Sequence, residues 1–291
     1  MDRRPLVFGA PTVAFIASML ACNFPARPTR GLTIEAIQLT MDAVTPLATS
    51  TTSATPGAGP VATPFRNERP FPITDSPGAT FEYETRSGDT LAALAGRFGV
   101  DPTQIVSEVS LSAMGYLPVG QSLQIPNVLG AMSPTGDLLP DAELVYSPTA
   151  SGFDVQDFVA LAEGYLSTYQ ETLDDGSVLS GAAIVQKVAD ENSVNPRLLL
   201  ALLEIRNAWV YGFPVDTDAR EYPIGFRIPG RSGLYQDLTV AANQLNRGYY
   251  GWRAGTLLET TAIDRGTVRW NPTLNAGSVA LLHLTVLLSG S

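Results

Sequence analysis

One cysteine, Cys22, and one histidine, His283, in 291 residues deny this chain the usual staples of a small fold. An internal disulfide framework and a Cys/His metal cage are both excluded. Each folded part must therefore build its own hydrophobic core, so apolar patterning decides where the domains lie. Charge narrows the chemistry further. Asp and Glu total 28 against 18 Lys and Arg, a net charge of −10, and every cation but Lys187 is an arginine. No basic run exists to neutralise phosphates, which excludes nucleic acid as a partner. No cofactor and no metal is expected, so any catalysis has to rest on carboxylates.

Residues 1–22 have the layout of an export signal: a short basic start at Arg3-Arg4, an apolar run Leu6–Leu20, and the ending Met19-Leu20-Ala21-Cys22. The apolar run is short of the roughly 20 residues a membrane span needs. The ending resembles a bacterial lipobox, departing from it at Met19 where leucine is usual. That resemblance implies diacylglycerol on the Cys22 thiol and an exported chain, lipid-anchored at the bacterial cell membrane and facing the cell wall. Residues 23–80 follow as a tether rich in Pro, Thr, Ala, Ser and Gly, with no charge from Val44 to Pro64. Such a composition cannot bury a core and is expected to be disordered, with a span on the order of 45 Å.

Residues 81–127 are patterned throughout. Phe81, Tyr83 and Thr85 alternate with Glu82 and Glu84 as in a half-buried strand. Ser87-Gly88-Asp89 makes a turn, and Thr90 caps a helix whose Leu91, Leu94, Ala95 and Phe98 share one face. Asp101-Pro102 announces a second helix, and Gly120-Gln121 leads into a strand through Leu123 and Ile125. The residues Tyr83…Gly88-Asp89-Thr90-Leu91…Phe98-Gly99-Val100…Gly120-Gln121-Ser122-Leu123-Gln124-Ile125-Pro126 resemble a LysM domain, a small α+β (βααβ) module. The resemblance implies binding of peptidoglycan or a related N-acetylglucosamine polymer in a groove between two loops. By position those loops are Gly88, Asp89, Thr90 and Leu91 on one side, and Tyr116, Leu117, Pro118 and Val119 on the other. Val109-Ser110 stand where that family often carries asparagine.

After a second linker, residues 128–152, helical periodicity dominates residues 153–291, which read as an all-α domain. Helices are expected over Val155–Tyr169, Ser180–Asn192, Arg197–Val210, Leu238–Tyr249 and Ala276–Leu288, the leucine-rich third lying at the domain's centre. The whole chain is thus expected to be multidomain, its two folded parts joined by disordered linkers. Asn195-Pro196…Leu203-Glu204…Trp209, Gly233-Leu234-Tyr235-Gln236 and Leu274-Asn275-Ala276-Gly277 resemble segments of the lysozyme-like lytic transglycosylases. The resemblance implies a carboxylic acid ahead of Trp209 and glycan contacts at Tyr235 and Gln236. Arg206 and Asn207 occupy the positions of the acid and the residue after it, and an arginine cannot donate a proton at neutral pH.

Glu204 lies two residues earlier, about 200° around a regular helix, and Glu221 sits in a polar loop. Three readings remain open: a glycan-binding lipoprotein with a degenerate lysozyme-like domain, an active glycosidase using Glu204 or Glu221, and a helical scaffold for another envelope protein. His283, flanked by leucines, reads as a core residue rather than a catalytic base.

Overall fold

The computed structural model describes residues 79–148, 150–262 and 266–289, which fall within one compact unit, residues 65–291. The expected export signal, the expected anchor at Cys22 and nearly all of the expected tether lie outside the described residues. Only Ala79 and Thr80 of the expected tether are described, and Thr80 already opens the first strand.

The LysM-like module is a two-stranded antiparallel sheet, β1 (Thr80–Glu84) against β2 (Ser122–Pro126), with Tyr83 opposite Leu123 and Phe81 opposite Ile125. Helix α1 (Leu91–Phe98) begins where the Thr90 hydroxyl accepts from Ala93 N, at 3.2 Å. Its Leu94 and Phe98 close over Tyr83, Leu123 and Ile125 as a small separate core. The expected second helix is only a 3₁₀ turn, Pro102–Gln104. Asp101 and Gln104 do form the reciprocal cap that the sequence announces. Ile105 then turns extended, and Val106 exchanges two backbone bonds with Gln124, so the chain pairs with β2 before a second helical turn can form.

The larger region is helical but not all-α. Its elements are α2 (Asp141–Leu144), α3 (Val155–Ala162), α4 (Tyr165–Thr168), the hairpin β3 (Gln170–Thr172) and β4 (Val178–Ser180), α5 (Gly181–Asn192), α6 (Pro196–Asn207) and α7 (Thr217–Glu221). The long α8 (Leu234–Arg253) follows, then the hairpin β5 (Glu259–Ala262) and β6 (Gly266–Arg269), and α9 (Ala276–Leu288). The centre is α8, packed along α9 and α5, with Leu238, Ala241, Ala242 and Leu245 fully enclosed. The leucine-rich α6 is peripheral instead: Leu199 and Leu203 are buried, while Ile205 is 79% exposed.

Two departures have backbone causes. The helix expected over Val155–Tyr169 breaks at Glu163-Gly164, because Gly164 N and Leu166 N donate to the carbonyls of Val210 and Trp209. That strand-like exchange cannot coexist with a continuous helical ladder. The segment 128–152 is also not a disordered linker. Met132, Leu144 and Ala150 are buried, and Val145 bridges Val194. Ser278 Oγ accepts from the backbone of Leu138 and Leu139, and Asp141 accepts from Gly277 N at 2.7 Å. This segment, a strap over residues 128–152, thus supplies polar partners that the start of α9 needs.

The LysM-like module docks on this body. Gly255 lies so close to α1 that an added Cβ would stand 2.8 Å from Ala93 Cα. The Arg269 guanidinium donates to the carbonyls of Gly96 and Arg97 at the end of α1, at 3.3 and 2.9 Å. Arg97, 3% exposed, lies 5.4 Å over the Trp252 ring.

Candidate functional site

The two loops that the LysM resemblance singles out meet. Leu117 N donates to Asp89 O at 2.8 Å, and Gly120 N donates to Thr85 O at 2.9 Å. The Thr85 hydroxyl completes the closure, donating to Pro118 O while accepting from Gln121 N. Asp89 is 5% exposed and serves the inside of the loop. Its carboxylate accepts from the Tyr83 hydroxyl and from Arg86 N, both at 2.7 Å, and pairs with Arg97. Burial, opposed by Arg97, pushes the Tyr83 hydroxyl above its ordinary value, so it stays a donor to that carboxylate.

Asp89 and Leu117 are therefore residues that shape the loops, not side chains offered to a ligand. Tyr116, Pro118 and Val119 are exposed, and Gly88, Thr90 and Leu91 are half-buried. A cleft of about 460 Å³ runs along Glu82–Ser87 and under Val119, and its lining includes Thr273 of the helical body. The Arg253 guanidinium lies against Gly88, its Nη2 1.8 Å from where a Cβ would stand, and Nη1 donates to the Tyr249 hydroxyl. Arg86 beside the cleft faces Asp137 of the strap at 3.5 Å. Thr273, Arg253 and Asp137 carry no local sequence signal linking them to residues 82–119. Only the docked fold brings them there.

The second candidate region does not assemble as the sequence suggests. Glu204 Oε2 accepts from Val210 N and Tyr211 N, both at 3.0 Å, and so holds the chain as it leaves α6. Around it is an apolar groove of about 480 Å³ walled by Phe153, Phe158, Ile205 and Tyr211. Tyr235 and Gln236 are not part of that groove. The Tyr235 hydroxyl donates to Glu191 at 3.0 Å, and the Gln236 amide reaches Asp174 at 3.4 Å. Glu221 is exposed at the end of α7.

Arg206 and Asn207 serve a neighbouring loop. Arg206 Nε donates to Ile224 O and Asn207 Nδ2 to Pro223 O, each at 2.9 Å. From the other side Asp237, fully buried on α8, accepts from the amides of Ile224, Gly225 and Phe226. Burial raises the Asp237 carboxyl, while those three bonds and Arg206 pull it back. Sequence reasoning missed two acids here, Asp237 and Glu171. Glu171 accepts from Leu234 N at 2.8 Å and from the Tyr169 hydroxyl, capping α8 from a different element.

His283 is buried, with Nδ1 2.7 Å from the Thr260 hydroxyl and Nε2 3.3 Å from Gln244 Oε1. Burial, helped by Arg247, lowers its pKa to about 4. Among the described residues no group of three or more His, Cys, Asp or Glu side chains is placed to hold a metal ion. No described helix is long and apolar enough to cross a membrane.

No curated protein and no solved structure matches the chain. Residues 83–126 match the LysM domain family, whose members bind peptidoglycan and N-acetylglucosamine polymers. Residues 137–289 match the family described as LasA, N-terminal domain, which is not identified as lysozyme-like. That second match takes in the strap from Asp137 onward as well as the helices and hairpins, which thus belong to one family unit. Since it spans more than half of the 291 residues, the chain belongs to the LasA N-terminal domain family, with a LysM domain preceding that unit.

Proposed function

We propose that this protein is a cell-envelope lipoprotein that holds peptidoglycan in its LysM cleft without cleaving it. The observation that carries this reading is the pair of loops closed by Asp89 O and Leu117 N, which leaves Val119 exposed at a cleft of about 460 Å³. Fixed backbone groups with an adjacent apolar side chain suit an acetamido sugar, whose carbonyl and N–H need partners and whose methyl needs cover. The helical body supports this role by fixing the module through Arg97, Gly255 and Arg269, so that the cleft meets glycan in one orientation.

A hydrolytic role for Glu204 gains no support from its surroundings. One carboxylate oxygen is committed to two backbone amides, and the adjoining groove is apolar. In this proposal the helical domain is a lysozyme-related scaffold turned to support, with Arg206 holding a loop where a catalytic acid would stand. The anchor rests on the Met19-Leu20-Ala21-Cys22 ending.

Co-sedimentation of the mature chain with insoluble peptidoglycan tests the binding claim. Retention is expected, with no release of soluble muropeptides, and Val119→Asp should cut it about tenfold by placing a desolvated charge at the cleft. Retention unchanged in Val119→Asp, or glycan fragments whose release stops in Glu204→Gln, would overturn the reading. Cys22→Ser should release the protein from the membrane fraction.

A further inference from the structure

A groove of about 890 Å³ lies on the helical body, and the glycan reading uses none of it. One wall is a stripe of α8: Val240, Gln244, Arg247 and Gly251, spaced so that all share one face. The facing wall is the continuous run Thr256–Thr261, which includes the start of β5. The stripe rises about 16 Å along the helix axis, the length of roughly five extended residues.

β5 has a free edge here. Among the described residues it pairs only with β6, with Glu259 opposite Arg269, Thr260 opposite Val268 and Thr261 opposite Thr267. One step further along the same register, Trp270 N donates to Leu258 O at 3.0 Å. Bonded and non-bonded pairs alternate in an antiparallel ladder. Leu258 and Thr260 therefore direct their backbone groups to β6, while Glu259 and Thr261 direct theirs outward. No described backbone group pairs with them there.

The floor presents oriented donors. A neutral His283 whose Nε2–H donates to Gln244 Oε1 can accept from the Thr260 hydroxyl at Nδ1. This assignment fixes the Gln244 amide with its NH₂ towards the groove. Arg247 is exposed on the α8 wall with no described carboxylate paired to it. Glu259, the acid on the strand wall, stands opposite Arg269 in the ladder, and with Arg247 the lining holds two cations against one acid. Val240, Leu257 and Leu287 supply apolar contact between these polar points.

The geometry points to a binding site for an extended acidic peptide, which adds to β5 as a third strand and places a carboxylate side chain against Arg247 and the Gln244 amide. Backbone pairing at Glu259 and Thr261 supplies affinity, and Arg247 selects the charge.

The probe is fluorescein-labelled Val-Glu-Val-Glu-Val-amide, titrated into the full chain by fluorescence anisotropy, together with two peptides N-methylated at alternate residues. We expect saturable binding that falls at least tenfold in Arg247→Glu. Thr261→Pro should do the same, because it removes an N–H that β6 does not use. Only one of the two N-methylated peptides should lose binding, since alternate amides face the strand. Unchanged melting temperatures would show that both variants fold; if Thr261→Pro does not, the N-methyl comparison on the unaltered protein decides. Absence of saturable binding, equal tolerance of both N-methylated peptides, or displacement of the probe by tetra-N-acetylchitotetraose would overturn the proposal.

Discussion

The LysM module and the helical body both use polar side chains to fix backbone in place, but the contacts that do so can span very different distances. In the module Asp89 gathers Tyr83, Arg86 and Arg97, all within eight residues of it. In the body Glu171 caps α8 from 63 residues away, and Ser278 fixes the strap from 139 and 140. The turn at 86–89 is thus set within its own short segment, whereas the start of α8 and the strap are fixed only once distant elements have met. This difference predicts where damage will stay local and where it will spread.

The sharpest break should come from Asp89→Ala. It strands the Arg97 guanidinium, which is 3% exposed, at a cost of about 3–5 kcal/mol. Hydrogen exchange should show residues 83–98 opening while α5 and α6 keep their protection. Asp237→Ala should cost somewhat less, about 3 kcal/mol, by orphaning the amides of Ile224, Gly225 and Phe226. Its effect should spread through the body, lowering the melting temperature of the whole helical domain.

Acid offers a gentler probe of the same contrast. His283 belongs to the body and stays neutral down to about pH 4 when folded, against an ordinary value of 6.5. The unfolded chain therefore takes up the proton first. The stabilisation is fully present above pH 6.5 and is lost as pH falls through 4, a change on the order of 2–3 kcal/mol. Denaturant titrations across that window should show the loss in the native protein and a flatter profile in His283→Gln. The smallest effect should come from Ser278→Ala, about 1–2 kcal/mol. It should appear as faster exchange at Leu138 and Leu139, the two amides its hydroxyl accepts from.

The same division governs what the sequence discloses. Strand alternation at Phe81, Tyr83 and Thr85 and the Thr90 cap are signals carried by neighbours, from which the module could be laid out, while the two loops at 88–91 and 116–119 followed from the resemblance to LysM domains. Its second helix was illegible because Val106 is claimed by Gln124, a partner the local pattern does not reveal. In the body the helices at 181–192 and 276–288 follow their apolar periodicity. α8 extends beyond the expected 238–249 because Glu171 caps it at Leu234.

The hairpin at 170–180 carried a readable Asp175-Gly176 turn that helical periodicity on both sides concealed. Glu204 looked available for catalysis because nothing in a helical wheel shows that the chain turns back over it at Val210 and Tyr211. Likewise Thr273 could not be assigned to the cleft at Val119, nor Arg253 to Gly88, before the docked fold placed them there.

Hydrogen exchange of the full chain, with and without saturating tetra-N-acetylchitotetraose, probes both regions at once. Slowed exchange is expected at the amides of 87–91 and 116–120, with those of 204–211 unchanged. Protection centred on 204–211, or none at either loop, would overturn glycan binding at the LysM loops.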